Sequence, residues 1–226
     1  MSYLFDLASA DGFVCPAYVA EPTENPIGGL VLLQEIFGVN DHIRAVADGY
    51  AADGYLVVAP AMFERIKPQV ELGYEEATMG EARALKAAVE ALPEPGVQQD
   101  IAAAIEKAAE GGKVAVMGYC WGGLPPGARR TQPGLSAAVC YYGGGMTVGK
   151  EVQRSPQVPV LAHFAEQDNH ISMESVKAFA KAQPGVEVLT YPAEHGFNCD
   201  QRGSFNAEAA KQARLRTLAF LAQHLG

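Results

Sequence analysis

The sequence predicts an α/β fold: a mostly parallel central sheet with helices on both faces and an antiparallel hairpin at the amino terminus. Three observations carry this. Short apolar runs alternate with segments of helical period through most of the chain, and that alternation demands right-handed crossovers over a parallel sheet. The 226 residues, 49% hydrophobic and 19% charged, feed one core well and would be cramped as two large domains, so residues 1–226 are expected to form a single domain. The dipeptide Asp11-Gly12 lies between two strand-like stretches, where it favours a tight turn.

Taken in order, Tyr3 to Leu7 and Phe13 to Ala20 read as the two hairpin strands. Glu21 to Pro26 is a polar loop, and Gly29 to Gln34 is apolar on both faces, as a buried central strand should be. Asn40 can cap a helix whose positions Ile43, Val46, Ala47 and Tyr50 follow the helical period until Gly54. Tyr55 to Ala59 is the next strand. Two alanine-rich helices, Tyr74 to Ala91 and Val97 to Glu110, are separated by the breaker Pro93-Glu94-Pro95-Gly96. Lys113 to Met117, Ser136 to Tyr142, Val158 to Phe164 and Val186 to Tyr191 are short buried strands. Ser172 opens a helix over Met173 to Ala182. Asn206 to Leu225 closes the chain as an amphipathic helix with Ala209, Ala213, Leu215, Leu218 and Leu221 among its apolar positions.

Composition excludes several functions. Seventeen Lys and Arg against 26 Asp and Glu give a net charge of −9, a poor surface for nucleic acid or an anionic membrane. No basic, apolar leader and no spanning apolar stretch is present, which points to the reducing cytosol and to free thiols. Cys15, Cys120, Cys140 and Cys199 form no C-x-x-C pair and have no histidine pair at zinc-finger spacing, so neither a metal nor a cofactor is expected. The expected partner is a small molecule, with the chain a monomer or small homo-oligomer.

The sharpest chemical signal is Gly118-Tyr119-Cys120-Trp121-Gly122-Gly123, directly after a predicted strand. A strand turning abruptly into a helix strains the residue at its tip and needs glycines beside it, and the tip side chain is left exposed at the carboxyl end of the sheet. A following helix N-terminus favours a thiolate there. The bland alternative is a buried cysteine in a glycine-rich turn. Later in the chain, Asp168 follows the strand Val158 to Phe164, and His195 follows Val186 to Tyr191. Singly these read as a turn aspartate and a loop histidine. In the order nucleophile, acid, histidine, each past a different strand end, they could converge on one point. His195 would take the proton of Cys120 and return one to the leaving group, while Asp168 fixes the tautomer and stabilises the imidazolium. His42 and His224 read as solvated helix residues, His163 as a buried strand histidine, and His170 as the rival base near Asp168.

At this point the chain resembles a family. Gln34-Glu35-Ile36-Phe37-Gly38-Val39-Asn40, the elbow around Cys120, Tyr141-Tyr142-Gly143, Gln167-Asp168 and His195-Gly196-Phe197 resemble the motifs of the dienelactone hydrolases (carboxymethylenebutenolidases) of the α/β-hydrolase superfamily. The resemblance spans nearly the whole chain. It implies an α/β-hydrolase fold and hydrolysis of an enol-lactone or related ester through a thioester acyl-enzyme, with Cys120, Asp168 and His195 in the triad positions. Glu35 occupies the family's second-acid position, which implies that it helps form or gate the thiolate; read alone, it is a strand-end glutamate in a salt bridge. Backbone N–H groups of Ile36 and Trp121 would form the oxyanion hole. Phe37, Tyr74, Arg83, Tyr142, Phe197 and Arg202 are the candidate substrate contacts.

Two departures stand out. Where the family carries a substrate-binding arginine four residues after the catalytic histidine, this chain has Cys199, with Arg202 three further on. After the elbow, Leu124 to Gly134 holds Pro125, Pro126 and Arg129-Arg130 where an apolar helix should run. Either the helix is short or absent there, or the text reflects a local reading-frame error. Within enzymes the alternative function is a general small carboxylesterase or thioesterase. Outside them it is a non-catalytic scaffold that binds a ligand or senses oxidants through Cys120.

Overall fold

The computed structural model describes residues 1–123 and 134–226. By packing, the chain divides into two units, Met1–Val114 and Ala115–Gly226.

In the first unit, strands β1 (Ser2–Ala8) and β2 (Val14–Ala20) pair as the expected antiparallel hairpin, in a register that sets Leu7 opposite Cys15. Asp11 turns the connection by accepting the Phe13 N–H at 3.1 Å. Strands β3 (Gly29–Leu33) and β4 (Leu56–Pro60) run parallel, β2 flanks β4 antiparallel, and the order is β1-β2-β4-β3. Every residue of β3 and β4 is buried, which is why neither shows a period of two.

Helix α1 (Asp41–Ala52) starts where expected because the Asn40 side chain accepts the Ile43 N–H at 3.3 Å. Helices α2 (Glu76–Glu90) and α3 (Gln98–Ala108) follow, the former burying Ala82, Leu85 and Val89 at helical spacing. Helix α2 begins two residues later than the alanine-rich pattern implied, so Tyr74 lies in the loop ahead of it. A buried ionic cluster ties the hairpin connection down. Asp100 on α3, 1% exposed, accepts Ser9 Oγ at 2.5 Å and Arg65 Nε at 2.7 Å, and Arg65 Nη1 also reaches Asp11 at 2.7 Å.

In the second unit, strands β5 (Val114–Tyr119), β6 (Leu135–Tyr141), β7 (Val160–Ala165) and β8 (Val186–Tyr191) follow in the order β5-β6-β7-β8. Strands β6, β7 and β8 are parallel, with Ala162 opposite Cys140 on one side and Val188 on the other. Helix α4 (Met173–Ala182) is capped by Ser172 and helix α5 (Ala207–Leu225) by Asn206, each side chain accepting the N–H three residues on.

The buried stripe of α5 corrects the sequence reading. It runs Ala209, Ala213, Thr217, Phe220, Leu221 and Leu225, whereas Leu215 is 59% exposed. Thr217 can be inside because its Oγ1 meets the Tyr141 hydroxyl at 2.8 Å and His163 Nε2 at 2.9 Å. The other ring nitrogen of His163 meets the Tyr191 hydroxyl at 2.8 Å. Burial pushes the proton affinity of His163 down to about 3, helped by the charge of Arg216, so the ring is neutral, as a buried strand histidine should be. The question raised over 124–133 lies outside the described residues, as do Arg129 and Arg130.

Candidate active site

The elbow begins at Tyr119, the last residue of β5, and passes into a single tight turn over Cys120–Gly123. Cys120 has φ +52, a left-handed conformation that an L side chain occupies only when its surroundings force it. The surroundings do so through close backbone contacts. A Cβ on Gly118 would fall 1.8 Å from the Gly122 carbonyl oxygen, and one on Gly123 would meet the Gly143 Cα and the Tyr141 carbonyl at 2.9 Å. The Gly144 N–H donates to the Cys120 carbonyl at 3.0 Å, fixing the elbow against the turn after β6. Cys120 is left partly exposed, while Cys15, Cys140 and Cys199 are buried.

His195 lies in the loop after β8 and Asp168 in the loop after β7. His195 Nδ1 and Asp168 Oδ2 are 2.7 Å apart, and the Asp168 side chain has no exposed surface. The other Asp168 oxygen accepts the N–H groups of His170 and Ile171 at 2.7 and 3.0 Å. Burial pushes the Asp168 carboxyl up, but its hydrogen bond and charge contact with His195 and the two backbone donors outweigh that and hold it below its ordinary value. For His195 burial likewise opposes the charged form. Hydrogen bonds to Asp168 and to Cys120, with their charges, override it and raise the ring to about 10. Cys120, His195 and Asp168 therefore form one hydrogen-bonded line.

His170 stands beside this line rather than in it. Its backbone serves Asp168, and its exposed ring meets the His195 ring edge-on at 5.0 Å. On the buried side Tyr142, held at φ +39, packs its ring 5.0 Å from His195. Phe197 is fully buried against Tyr142 and Tyr191, and the Arg202 guanidinium lies against Gly196. Trp121, the residue after the cysteine, is partly exposed in the elbow turn.

The first unit holds the remaining candidates. Glu35, two residues past the end of β3, is 0% exposed and accepts the Tyr74 hydroxyl at 2.8 Å. Ile36 and Phe37 are buried next to it, with the Phe37 ring 4.6 Å from that of Tyr74. Arg83 lies exposed on α2. His42 overturns its reading as a solvated helix residue. It is 2% exposed, with a ring nitrogen within 4.8 Å of a Glu35 oxygen and its ring edge-on to Tyr74 at 6.3 Å. Its place in the first turn of α1 turns it inward, which the helical period of the apolar positions alone did not reveal.

The profile of the dienelactone hydrolase family matches residues 15–225. The chain belongs to the dienelactone hydrolase family. A carboxymethylenebutenolidase from Pseudomonas putida is 32% identical, over 96% of this chain and 94% of that protein. Among solved structures, a Klebsiella pneumoniae protein provisionally named dienelactone hydrolase superposes with a TM-score of 0.84 at 30% identity, covering 99% of this chain and 98% of its own. A dienelactone hydrolase-like promiscuous phosphotriesterase from metagenomic libraries shares the fold with a TM-score of 0.75 at 22% identity, covering 100% of this chain and 99% of its own. The α/β-hydrolase fold and the dienelactone hydrolase resemblance stand on these matches, and membership makes the chain an ester or lactone hydrolase. Among the described residues no helix is long and apolar enough to cross a membrane.

Proposed function

We propose that this dienelactone hydrolase family member opens a small enol-lactone or related ester with Cys120 as nucleophile, His195 as general base and acid, and Asp168 as the group that orients His195. The observation that carries the reading is the line from Asp168 through His195 to a partly exposed Cys120 at φ +52. With its ring raised to about 10, His195 already holds the proton of Cys120, and the thiolate attacks the carbonyl carbon to give a tetrahedral oxyanion. Collapse breaks the C–O bond, the leaving oxygen takes the proton from His195, and a thioester remains. Water then attacks the thioester and gives a proton to His195, the C–S bond breaks, and the sulfur leaves as a thiolate beside the protonated ring as the carboxylic product departs.

The backbone N–H groups of Trp121 and Ile36 receive the oxyanion in this reading, and Glu35 is the second acid that takes part in forming the thiolate. The position of Glu35 and Ile36 in the family motif supports those two roles. We read residues 1–226 as one domain, because the family match runs through both units, and the four free thiols suit a reducing compartment. Fully buried Cys199, standing where the family's substrate-binding arginine would be, favours a second reading of the substrate as a small uncharged ester.

The test is hydrolysis of a dienelactone beside p-nitrophenyl acetate by wild type and Cys120→Ala, with the acyl-enzyme followed by intact mass. Cys120-dependent opening of the dienelactone with a transient acyl adduct is the expected result. Turnover of the plain ester alone would select the second substrate reading. Undiminished turnover in Cys120→Ala would overturn the nucleophile assignment, and thiol labelling without turnover of either compound would overturn the catalytic reading in favour of a ligand-binding or redox-sensing protein.

A further inference from the structure

The geometry points to Tyr74 as a positioning residue for Glu35, an inference that rests on the proposed role of Glu35 as second acid. A carboxylate wholly removed from water needs partners that stay in place. The Tyr74 hydroxyl is one, donating to Glu35 Oε2 at 2.8 Å.

The backbone is built to deliver that phenol. Gly38 and Glu71 form an antiparallel bridge, the Leu72 N–H donates to the Phe37 carbonyl at 2.8 Å, and Asn40 Nδ2 donates to the Leu72 carbonyl at 3.0 Å. Gly38 has φ +85, and a Cβ there would lie 1.9 Å from the Val70 carbonyl oxygen, so the two segments approach more closely than any side chain at 38 would allow. Asn40 serves twice, since its Oδ1 caps α1 while its Nδ2 anchors the segment that carries Tyr74.

The ring itself is seated on Phe37 at 4.6 Å and meets His42 edge-on at 6.3 Å. Three contacts at Glu71 and Leu72 thus fix the Tyr74 backbone against the segment that carries Glu35. A side chain meant to grip substrate would keep its hydroxyl for the substrate, whereas this one is committed to a buried carboxylate. By holding Oε2, the phenol helps to fix the orientation of the Glu35 carboxylate.

The experiment is a double-mutant cycle on p-nitrophenyl acetate with wild type, Tyr74→Phe, Glu35→Gln and the double variant, with a thermal melt of each. Tyr74→Phe keeps the ring and removes one oxygen. Its expected effect is a kcat lowered about tenfold with KM within about twofold, and no further loss when added to Glu35→Gln. A raised KM with kcat unchanged, a neutral Tyr74→Phe, or a full loss that persists in the Glu35→Gln background would overturn the positioning role and leave the Glu35 reading standing. A neutral Glu35→Gln would remove the Glu35 role first and the Tyr74 role with it. Should Tyr74→Phe melt early, the cycle is read below its transition, where the same outcomes decide.

Discussion

His195 Nδ1 lies 2.7 Å from Asp168 Oδ2, and the second oxygen of the same carboxylate is engaged by two backbone N–H groups. Both oxygens of Asp168 are thus committed, so the carboxylate cannot rotate away and the imidazole is held in one orientation. The rings of Tyr142 and His170, each 5.0 Å from that of His195, confine it further.

Replacing Asp168 by Asn keeps the shape but loses the charge and offers the wrong hydrogen-bonding partner. Ester turnover is expected to fall roughly a thousandfold or more. In the same variant the ring titration of His195, followed by NMR, should drop from about 10 towards the ordinary histidine range near 6.5. An unchanged midpoint would show that Asp168 is not what holds the proton.

Stability should depend on pH through the same ring. Because folding raises His195 from an ordinary 6.5 to about 10, its contribution is complete below about pH 6.5 and is lost as pH rises through about 10. Urea midpoints of wild type and His195→Gln should therefore converge as pH rises across that window. A difference that stays constant from pH 6 to pH 10 would contradict the raised value.

Native protein should take up one equivalent of iodoacetamide, at Cys120. Cys140 and Cys199 have no exposed surface, and at Cys15 burial, reinforced by the charge of Asp100, pushes the thiol up to about 12. Peptide mapping after brief labelling checks this, and modification of Cys15 at a comparable rate would refute it. Labelling in urea should recover all four thiols.

Arg65→Met leaves the Asp100 carboxylate buried without its cation. The expected cost is about 3–5 kcal/mol in urea unfolding. Adding Asp100→Leu should restore part of that loss, because the stranded charge is then gone. A single variant as stable as wild type would mean that Asp100 finds water or another donor on losing Arg65.

Much of this was legible in the residues. Strands β3, β4 and β5 stand out because they carry no charge and are buried along their whole length. Asn40, Ser172 and Asn206 mark helix starts because each side chain satisfies an otherwise unpaired N–H. The elbow is readable in part because Gly118 is required by a contact only four residues on, at the Gly122 carbonyl, whereas Gly123 is required by Tyr141 and Gly143 further along the chain. Pairings between distant residues were not readable. Tyr74 reaches Glu35 across 39 positions through a loop with no period, and Ser9 finds Asp100 across 91. Leu215 and Thr217 exchanged their expected places because hydropathy weighs a side chain alone, whereas Thr217 enters the core with His163 and Tyr141 already matched to it.

The glycine contacts around Cys120 have a chemical corollary. The bend at position 120 is enforced by close main-chain approaches among Gly118, Gly122, Gly123, Tyr141 and Gly143. The scaffold is therefore indifferent to which element sits on that Cβ. Oxygen could replace sulfur without disturbing those main-chain contacts, and the choice between a soft, polarisable attacking atom and a hard one is left to the groups that manage its proton rather than to the fold.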